Sequence, residues 1–261
     1  MRIVTFASGS SGNCCLVSDG KTNILIDAGI SMRRIVSCLA ELGLTPRDIC
    51  GVLITHEHSD HISGLPMLLK HYGVKLYAPG ELCKVLDSYK PEFRASLNYI
   101  EMNEKAAIGE LTVTPFRTPH DSRFSTGYRI EGSSVFAYAT DTGSVTESML
   151  SGLSGADAAI IEANHDPDML KNGPYPYYLK RRILSERGHL SNDDCGKLAF
   201  LLANSGTGVI ILGHLSRENN TPELAYKTVK NAVENCGVKL YVAPAAKNLV
   251  ISIGETEECL E

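Results

Sequence analysis

Apolar positions along this chain alternate between two spacings, and each change of spacing marks an element. Residues 2–7, 14–18 and 23–27 are short apolar runs that read as a β-meander ending at Asp27-Ala28-Gly29. Over residues 31–42 the spacing changes to three and four, with Met32, Ile35, Val36, Leu39 and Leu42 on one stripe, which predicts a helix. Gly51-Val52-Leu53-Ile54-Thr55 returns to a strand, and Ile62, Leu65, Leu68 and Leu69 begin a second helical stripe. Val74-Lys75-Leu76-Tyr77-Ala78 predicts a strand, and Pro79 the opening of a further helix. Residues 98–139 are β-rich, 158–162 form a strand and 175–187 a helix. Ser191, with Asp194 three residues on, caps an apolar helix that runs to Asn204. Thr221-Pro222-Glu223 opens the last helix, and residues 238–253 supply two closing strands. No repeat, low-complexity stretch or linker interrupts this order. It predicts one α/β folding unit over 1–261, with two halves dividing near residues 120–140.

The strand at 51–55 and the helix near Ile62 are separated by His56-Glu57-His58-Ser59-Asp60-His61, which packs three imidazoles and two carboxylates into six residues. Neutral imidazole and carboxylate are the usual ligands of catalytic zinc and related divalent ions. A solvated polar turn explains one histidine; it does not explain three beside an aspartate. The run stands at the carboxyl end of a strand, where α/β proteins place their chemistry. A turn there aims His56 and His58 at one point, and Asp60 and His61 at a second point nearby.

This run resembles the His-x-His-x-Asp-His signature of the metallo-β-lactamase superfamily, and the rest of that pattern follows in order. His120 lies in Thr118-Pro119-His120-Asp121, Asp141 follows the strand Val135–Ala139, and His214 follows Val209–Gly213. The resemblance covers nearly the whole chain. It implies an αββα sandwich of α/β (α+β) class, in which two mixed sheets flanked by helices carry metals at one rim. It implies two divalent ions per chain, one held by His56, His58 and His120, the other by Asp60, His61 and His214, with Asp141 bridging. Zinc suits such His-rich sites, and manganese or iron is compatible with the same ligands. Two ions about 3.5–4 Å apart need a bridging carboxylate, and a hydroxide shared between them, its pKa brought to about 7, is the expected nucleophile. Asp60 also stands where it could orient that water. Glu57, between two ligands, is expected to point away.

Composition narrows the setting. A chain of 261 residues can bury a sizeable core, and 43% hydrophobic with 21% charged residues is ordinary for a soluble globular protein. No apolar run approaches the roughly twenty residues that a membrane span needs. The opening Met1–Phe6 reads as a strand and lacks a signal-peptide layout. Among the eight cysteines none forms a Cys-x-x-Cys pair, and several fall in apolar patterns, as Cys38 does beside Leu39 and Leu42. Buried free thiols in a reducing cytoplasm are the expectation. A net charge of −5 argues against binding nucleic acid through the whole surface and leaves room for a local basic site.

The substrate reading rests on the surroundings of the metal residues. Glu162-Ala163-Asn164-His165-Asp166 and Gly188-His189-Leu190-Ser191 resemble the ribonuclease Z layout, in which a Glu after a strand pairs with a His at a helix start as a proton-donating dyad. His214-Leu215-Ser216-Arg217-Glu218-Asn219-Asn220 resembles the motif that closes the nuclease branches, and Ala7-Ser8-Gly9-Ser10-Ser11-Gly12-Asn13-Cys14 the opening of a compact bacterial branch associated with DNA exonuclease activity. The implied function is a phosphodiesterase, of 5′→3′ DNA exonuclease type, with nucleic acid as partner (DNA more than RNA) and Asp60, Glu162 and His189 as catalytic residues.

Plainer readings stand beside these. His189 alone would be a helix cap and Glu162 a strand-end ion-pair partner, but Glu162 follows the apolar Ala158–Ile161 and a buried carboxylate needs a partner. The loop at 8–12 is either a plain turn or an anion nest, with Ser10, Ser11 and Asn13 as substrate contacts beside Ser216 and Asn219. The stretch from Pro174 to Arg182 is either half core and half solvated helix, or a place where aromatic rings stack bases and Lys180, Arg181 and Arg182 hold phosphates. His71 and His165 read as surface residues. Hydrolysis of a thioester, lactone or small phosphodiester is the alternative activity. A non-enzymatic metal-binding protein is disfavoured by the complete set of ligands.

Overall fold

Side chains alternate across a sheet, so a strand in which successive residues are all apolar must be covered on both faces. The computed structural model, which describes residues 1–254, meets that demand with two sheets packed face to face and helices outside each. The first sheet holds β1 (Arg2–Ala7), β2 (Cys14–Asp19), β3 (Thr22–Ile26), β4 (Gly51–Leu53), β5 (Leu76–Pro79) and β6 (Leu97–Ile100). The second holds β7 (Ala106–Ile108), β8 (Leu111–Arg117), β9 (Thr126–Glu131), β10 (Val135–Ala139), β11 (Ala158–Glu162), β12 (Val209–Gly213) and β13 (Lys239–Val242). The last strand, β14 (Leu249–Ser252), returns to the first sheet beside β1. Each sheet is half antiparallel and half parallel: β3 to β6 run parallel in one, β10 to β13 in the other.

The alternation decides which layer each residue joins. Ile3, Cys15, Val17, Ile24 and Ile26 face inward, against Tyr128, Ile130, Phe136, Ile160 and Ile211 of the other sheet. Their neighbours Val4, Phe6, Leu16 and Leu25 face outward, under α1 (Met32–Glu41), together with helical Ile35 and Leu39. The helices α2 (Ser59–Ile62), α3 (Leu65–Tyr72) and α4 (Gly80–Tyr89) extend the same outer layer. Ala137, Ala159, Ile161, Ile210 and Leu212 face outward on the second sheet, under α5 (Glu147–Leu153), α8 (Asn192–Asn204) and α9 (Pro222–Ala232). Two short helices, α6 (Pro167–Asn172) and α7 (Tyr177–Ile183), lie in the connection between β11 and α8. The result is the expected four-layer αββα sandwich. Leu16 is fully buried, so Leu16→Ala costs about 2–5 kcal/mol.

Helix starts follow the side chains that satisfy their free N–H groups. Ser191 Oγ accepts from Asp194 N at 3.1 Å and Thr221 Oγ1 from Leu224 N at 3.1 Å. Several boundaries depart from the sequence pattern. The stripe through Ile62, Leu65, Leu68 and Leu69 breaks into α2 and α3 at Gly64, whose N–H donates to Ala28 O at 2.8 Å. A Cβ there would overlap the Ile30 carbonyl, so this contact with the loop after β3 requires glycine. The helix expected over 175–187 is shorter, and α5 and α6 had no clear periodicity. The two closing strands fall on opposite sheets. The chain changes sheet between Ile100 and Ala106, upstream of the division at 120–140. His165 is buried, not exposed, because the bridge to Ser191 draws its backbone beneath the start of α8. Among the described residues all seven cysteines are unpaired, and burial pushes the thiols of Cys14, Cys15 and Cys195 well up. Among them, too, no helix is long and apolar enough to cross a membrane.

Candidate metal centre

Parallel strands deliver their carboxyl ends to one rim, and this rim collects the acids and imidazoles. Asp27 follows β3, the run from His56 to His61 follows β4, Asp141 follows β10, Glu162 ends β11 and His214 follows β12. Four non-glycine residues among those described have left-handed backbone: Asp27 at φ 59°, Asn103 at 61°, Asp141 at 55° and His214 at 55°. Three of them are in this rim. Each such residue costs on the order of 1–3 kcal/mol and persists only where its surroundings fix it. Here the fixing contacts are Asp27 N to Leu53 O at 2.8 Å and His214 N to Ser8 Oγ at 2.8 Å. Gly29 admits the Asp60 carbonyl against its backbone, a place where any Cβ would overlap it.

The side chains converge in two neighbouring sets. His56, His58 and His120 form one, and Asp60, His61, Asp141 and His214 the other; within each set the donor atoms lie within 4.8 Å of one another. Contacts behind the imidazoles decide which nitrogen faces inward. His61 Nδ1 is 2.7 Å from Asp27 Oδ2, His120 Nδ1 is 3.2 Å from Gly188 O, and His214 Nδ1 is 3.0 Å from Glu162 Oε1. Each acceptor takes the Nδ1 proton and leaves Nε2 as a lone-pair donor, the arrangement found behind metal-ligating histidines. Thr55 Oγ1 donates to Asp27 Oδ2 at 2.8 Å and sits 3.0 Å from His56 Nδ1, extending the same support to His56.

These residues fit a divalent cation. His56 Nε2, Asp141 Oδ2 and His214 Nε2 are buried and make no hydrogen bond among the described residues. His58 Nδ1 and His120 Nε2 approach to 3.3 Å, and His61 Nε2 and Asp141 Oδ2 to 3.1 Å. Acceptor atoms crowded together in this way are stabilised by a cation, a proton or a metal ion, between them. The charges are poised accordingly. Burial, then the charge on His61, holds His56 well below its ordinary pKa, and burial lowers His120. Burial opposes a charge on His214, but Asp141 first, with the Asp60 and Glu162 carboxylates beside it, raises it to about 10. Asp141 is held well below the carboxylate range despite its burial, by His214 and His61.

A third set, Asp141, Glu162, His189 and His214, overlaps the second. Glu162 Oε1 already accepts from His189 Nδ1 at 2.7 Å and His214 Nδ1 at 3.0 Å, and Oε2 accepts from Thr142 N at 2.7 Å. A carboxylate so engaged orients imidazoles better than it ligates. Burial opposes the charge on both partners, yet Glu162 is lowered by His189 and His189 is raised by Glu162. His189 keeps 20% of its side chain exposed, whereas Glu162 has none.

The candidate substrate contacts are scattered. Ser10 and Ser11 are exposed, and Ser11 Oγ accepts from Arg217 Nη2 at 2.7 Å. Asn13 is fully buried: its Oδ1 accepts from Gly9 N at 2.9 Å, and its Nδ2 lies 3.0 Å from the inward-facing His61 Nε2 and 3.4 Å from Asp60 Oδ2, which places it inside the centre beside the second set and not at the surface. Ser216 and Asn219 are also buried, with Ser216 Oγ accepting from Asn219 N at 3.2 Å. Lys180 Nζ donates to the Lys171 and Gly173 carbonyls at 2.8 Å each, so it ties α7 to the end of α6. Arg181 lies 5.9 Å from the Tyr177 ring, and Arg182 pairs with Asp121 at the lip of the centre. Glu57 points away from the ligands, as expected, and accepts from Arg123 N at 2.8 Å.

Asp27, Thr55 and Arg187 escaped the sequence reading. Arg187 Nε donates to His120 O at 2.9 Å and holds that loop. Asp27 had a legible signal, an acid between an apolar strand and Ala28-Gly29. Thr55 and Arg187 had none, because their partners are distant in sequence.

Comparison with known proteins gives a consistent set of relatives. A description of the β-lactamase superfamily domain matches residues 22–215. The exodeoxyribonuclease WalJ of Streptococcus pneumoniae serotype 2 is 41% identical over 229 residues, 86% of this chain and 85% of that protein. The exodeoxyribonuclease YycJ of Bacillus anthracis is 34% identical over 239 residues, 91% of this chain and 90% of that protein. Among solved structures, the metallo-β-lactamase-fold protein YhfI of Bacillus subtilis superposes with a TM-score of 0.71 at 19% identity, over 96% of this chain and 99% of that one.

Proposed function

The chain belongs to the β-lactamase superfamily, with the metallo-β-lactamase fold, and from that membership we infer a metal-dependent hydrolase of phosphodiester bonds. Its substrate is the end of a DNA strand, degraded in the 5′→3′ direction, in line with the exodeoxyribonuclease names of its relatives. Two divalent ions, zinc before manganese or iron, would be held per chain, one by His56, His58 and His120, the other by Asp60, His61 and His214, with Asp141 serving both. Bound ions supply Lewis acidity toward a phosphoryl oxygen and acidify water to a pKa of about 7. The chain's own residues do the rest. Asp60, 22% exposed at the mouth of the site, orients the attacking water. His189 donates its proton to the departing 3′ oxygen through Nε2, while Glu162 holds Nδ1 and stabilises the charged imidazole.

One observation carries this reading beyond a generic hydrolase. A half-open histidine, backed by a fully buried carboxylate that also holds a ligand, stands beside both ligand sets. An alkoxide leaving group needs such an acid; the thiolate of a thioester does not. The decisive experiment sets protein loaded with manganese or zinc against end-labelled DNA and RNA, a thioester and bis-p-nitrophenyl phosphate. DNA shortening from the 5′ end at least tenfold faster than RNA is expected. Thioester hydrolysis without strand degradation would reject the nuclease reading.

A further inference from the structure

Beside the metal ligands lies an open cleft of about 490 Å³. Its floor is Glu57, His58, Ser59 and Asp60, and its walls are Val85 and Tyr89 of α4, Arg123 of the loop after His120, and Arg182 of α7. The volume falls within the range of about 300–1,000 Å³ typical of sites that enclose one small molecule. That suits a single nucleotide better than a run of stacked bases.

Three features of the lining point to what it receives. Arg123 has an exposed side chain, and among the described residues its guanidinium makes no ion pair and no hydrogen bond. Glu57 fixes the Arg123 backbone through its N–H at 2.8 Å, so the root of this side chain is set while its guanidinium pairs with no carboxylate among the described residues. Arg182, by contrast, is paired with Asp121, whose Oδ1 lies 3.3 Å from His120 Nε2. The third feature is Tyr89, the last residue of α4, which leaves 55% of its surface exposed at the edge of the cleft. An exposed ring, an unpaired guanidinium and two metal ligands enclosing one-nucleotide space form a recognisable combination.

We propose that this cleft seats the terminal nucleotide of the strand, with Tyr89 stacked on its base and Arg123 holding its 5′-phosphate. The proposal rests on the nuclease reading above and adds the determinant of end specificity. A terminal phosphomonoester carries a charge of about −1.5 to −2, more than the single charge of an internal diester. An unpaired guanidinium, which can bind phosphate through two parallel N–H bonds, therefore favours an end over the interior of a strand. Tyr89 adds affinity for any base, because every base presents a π-face. With the terminal nucleotide held there, the first internucleotide linkage lies over His58 and Asp60 on the floor of the cleft.

Calorimetric titration of thymidine 5′-monophosphate, with thymidine as control, into metal-loaded protein tests the cleft without reference to turnover. Arg123→Ala should weaken the monophosphate by roughly 10- to 100-fold and thymidine much less. Tyr89→Ala should weaken both by roughly tenfold, and Tyr89→Phe should restore them. On DNA strands, the preference of wild-type protein for 5′-phosphorylated over 5′-hydroxyl ends should shrink toward unity in Arg123→Ala. Equal monophosphate affinity in wild type and Arg123→Ala would overturn the proposal. A wild-type protein that degrades no strand would defeat the nuclease reading alone, and the titration would still decide the cleft.

Discussion

Asp27 has the largest consequence of any residue outside the ligand sets. It accepts from His61 Nδ1, Thr55 N and Thr55 Oγ1, and Thr55 in turn supports His56, so one carboxylate orients an imidazole in each set. Loss of such a supporting partner lowers metal affinity by about 10- to 100-fold. Asp27→Ala should show that loss in a chelator competition, and unchanged affinity would mean that packing alone orients His61. Glu162 and His189 separate in the same experiment. Glu162 Oε1 contacts both His189 and His214, so Glu162→Ala should lower metal content together with activity. His189→Ala should keep its ions and lose about 10²- to 10⁴-fold on a nucleotide diester relative to a p-nitrophenyl ester, whose leaving group departs without a proton. Metal loss in His189→Ala would make His189 a ligand and end its assignment as the acid.

His165 gives a pH signature away from the ligands. Both ring nitrogens are buried without partners, and burial lowers its pKa from 6.5 to about 4. The unfolded chain therefore takes up a proton below pH 6.5 that the folded chain refuses until about pH 4. Stability from this residue is intact above 6.5 and falls with pH through that window, at up to about 1.4 kcal/mol per unit. His165→Asn should flatten the acid limb of a stability–pH curve; an unchanged slope would place the proton elsewhere.

At the scale of an element, α7 divides its basic residues between two tasks. Lys180 closes onto the Lys171 and Gly173 carbonyls, Arg182 onto Asp121, and Tyr177 and Tyr178 remain 76% and 74% exposed. Lys180→Ala should therefore lower thermal stability and leave the salt dependence of DNA binding as it was. Arg181→Ala should reduce that log–log slope by about one, the signature of one lost phosphate contact. A slope change with Lys180→Ala and none with Arg181→Ala would reverse the assignment.

For the whole molecule, the metal rim ties both sheets together. Ligands come from β4 of the first sheet and from β8, β10 and β12 of the second, while Met1 N donates to Ile253 O at 2.9 Å and β14 closes on β1. One cooperative unfolding transition is expected, with two ions per chain by elemental analysis. Ions that bind only the folded state at about 100 times their Kd add about 2.7 kcal/mol. Chelation should then lower Tm by roughly 5–10 °C for a chain of this size. Two separated transitions, or one ion per chain, would contradict this picture.

The sequence by itself determined where most strands and helices lie, and its resemblance to a family implied the four layers and the candidate ligands. Continuous apolar strands require two covered faces, and spacings of three and four place one stripe of each helix on a sheet; both are local periodicities that survive in any window of the chain. The run from His56 to His61 was legible because its members are neighbours, and His120, Asp141 and His214 because their order resembles the metallo-β-lactamase pattern. Tertiary structure alone decided the rest. Asn13 passed for a loop contact until folding placed its amide 3.0 Å from His61 Nε2, and Lys180 passed for a phosphate ligand until α6 presented its carbonyls. The break at Gly64 came from the loop after β3, 34 positions upstream at its Ile30 carbonyl. The cleft of Tyr89, Arg123 and Arg182 draws on three elements that no window of sequence joins. Periodicity records what each segment buries, whereas a brace, a cap and a cleft depend on which distant atoms arrive beside it.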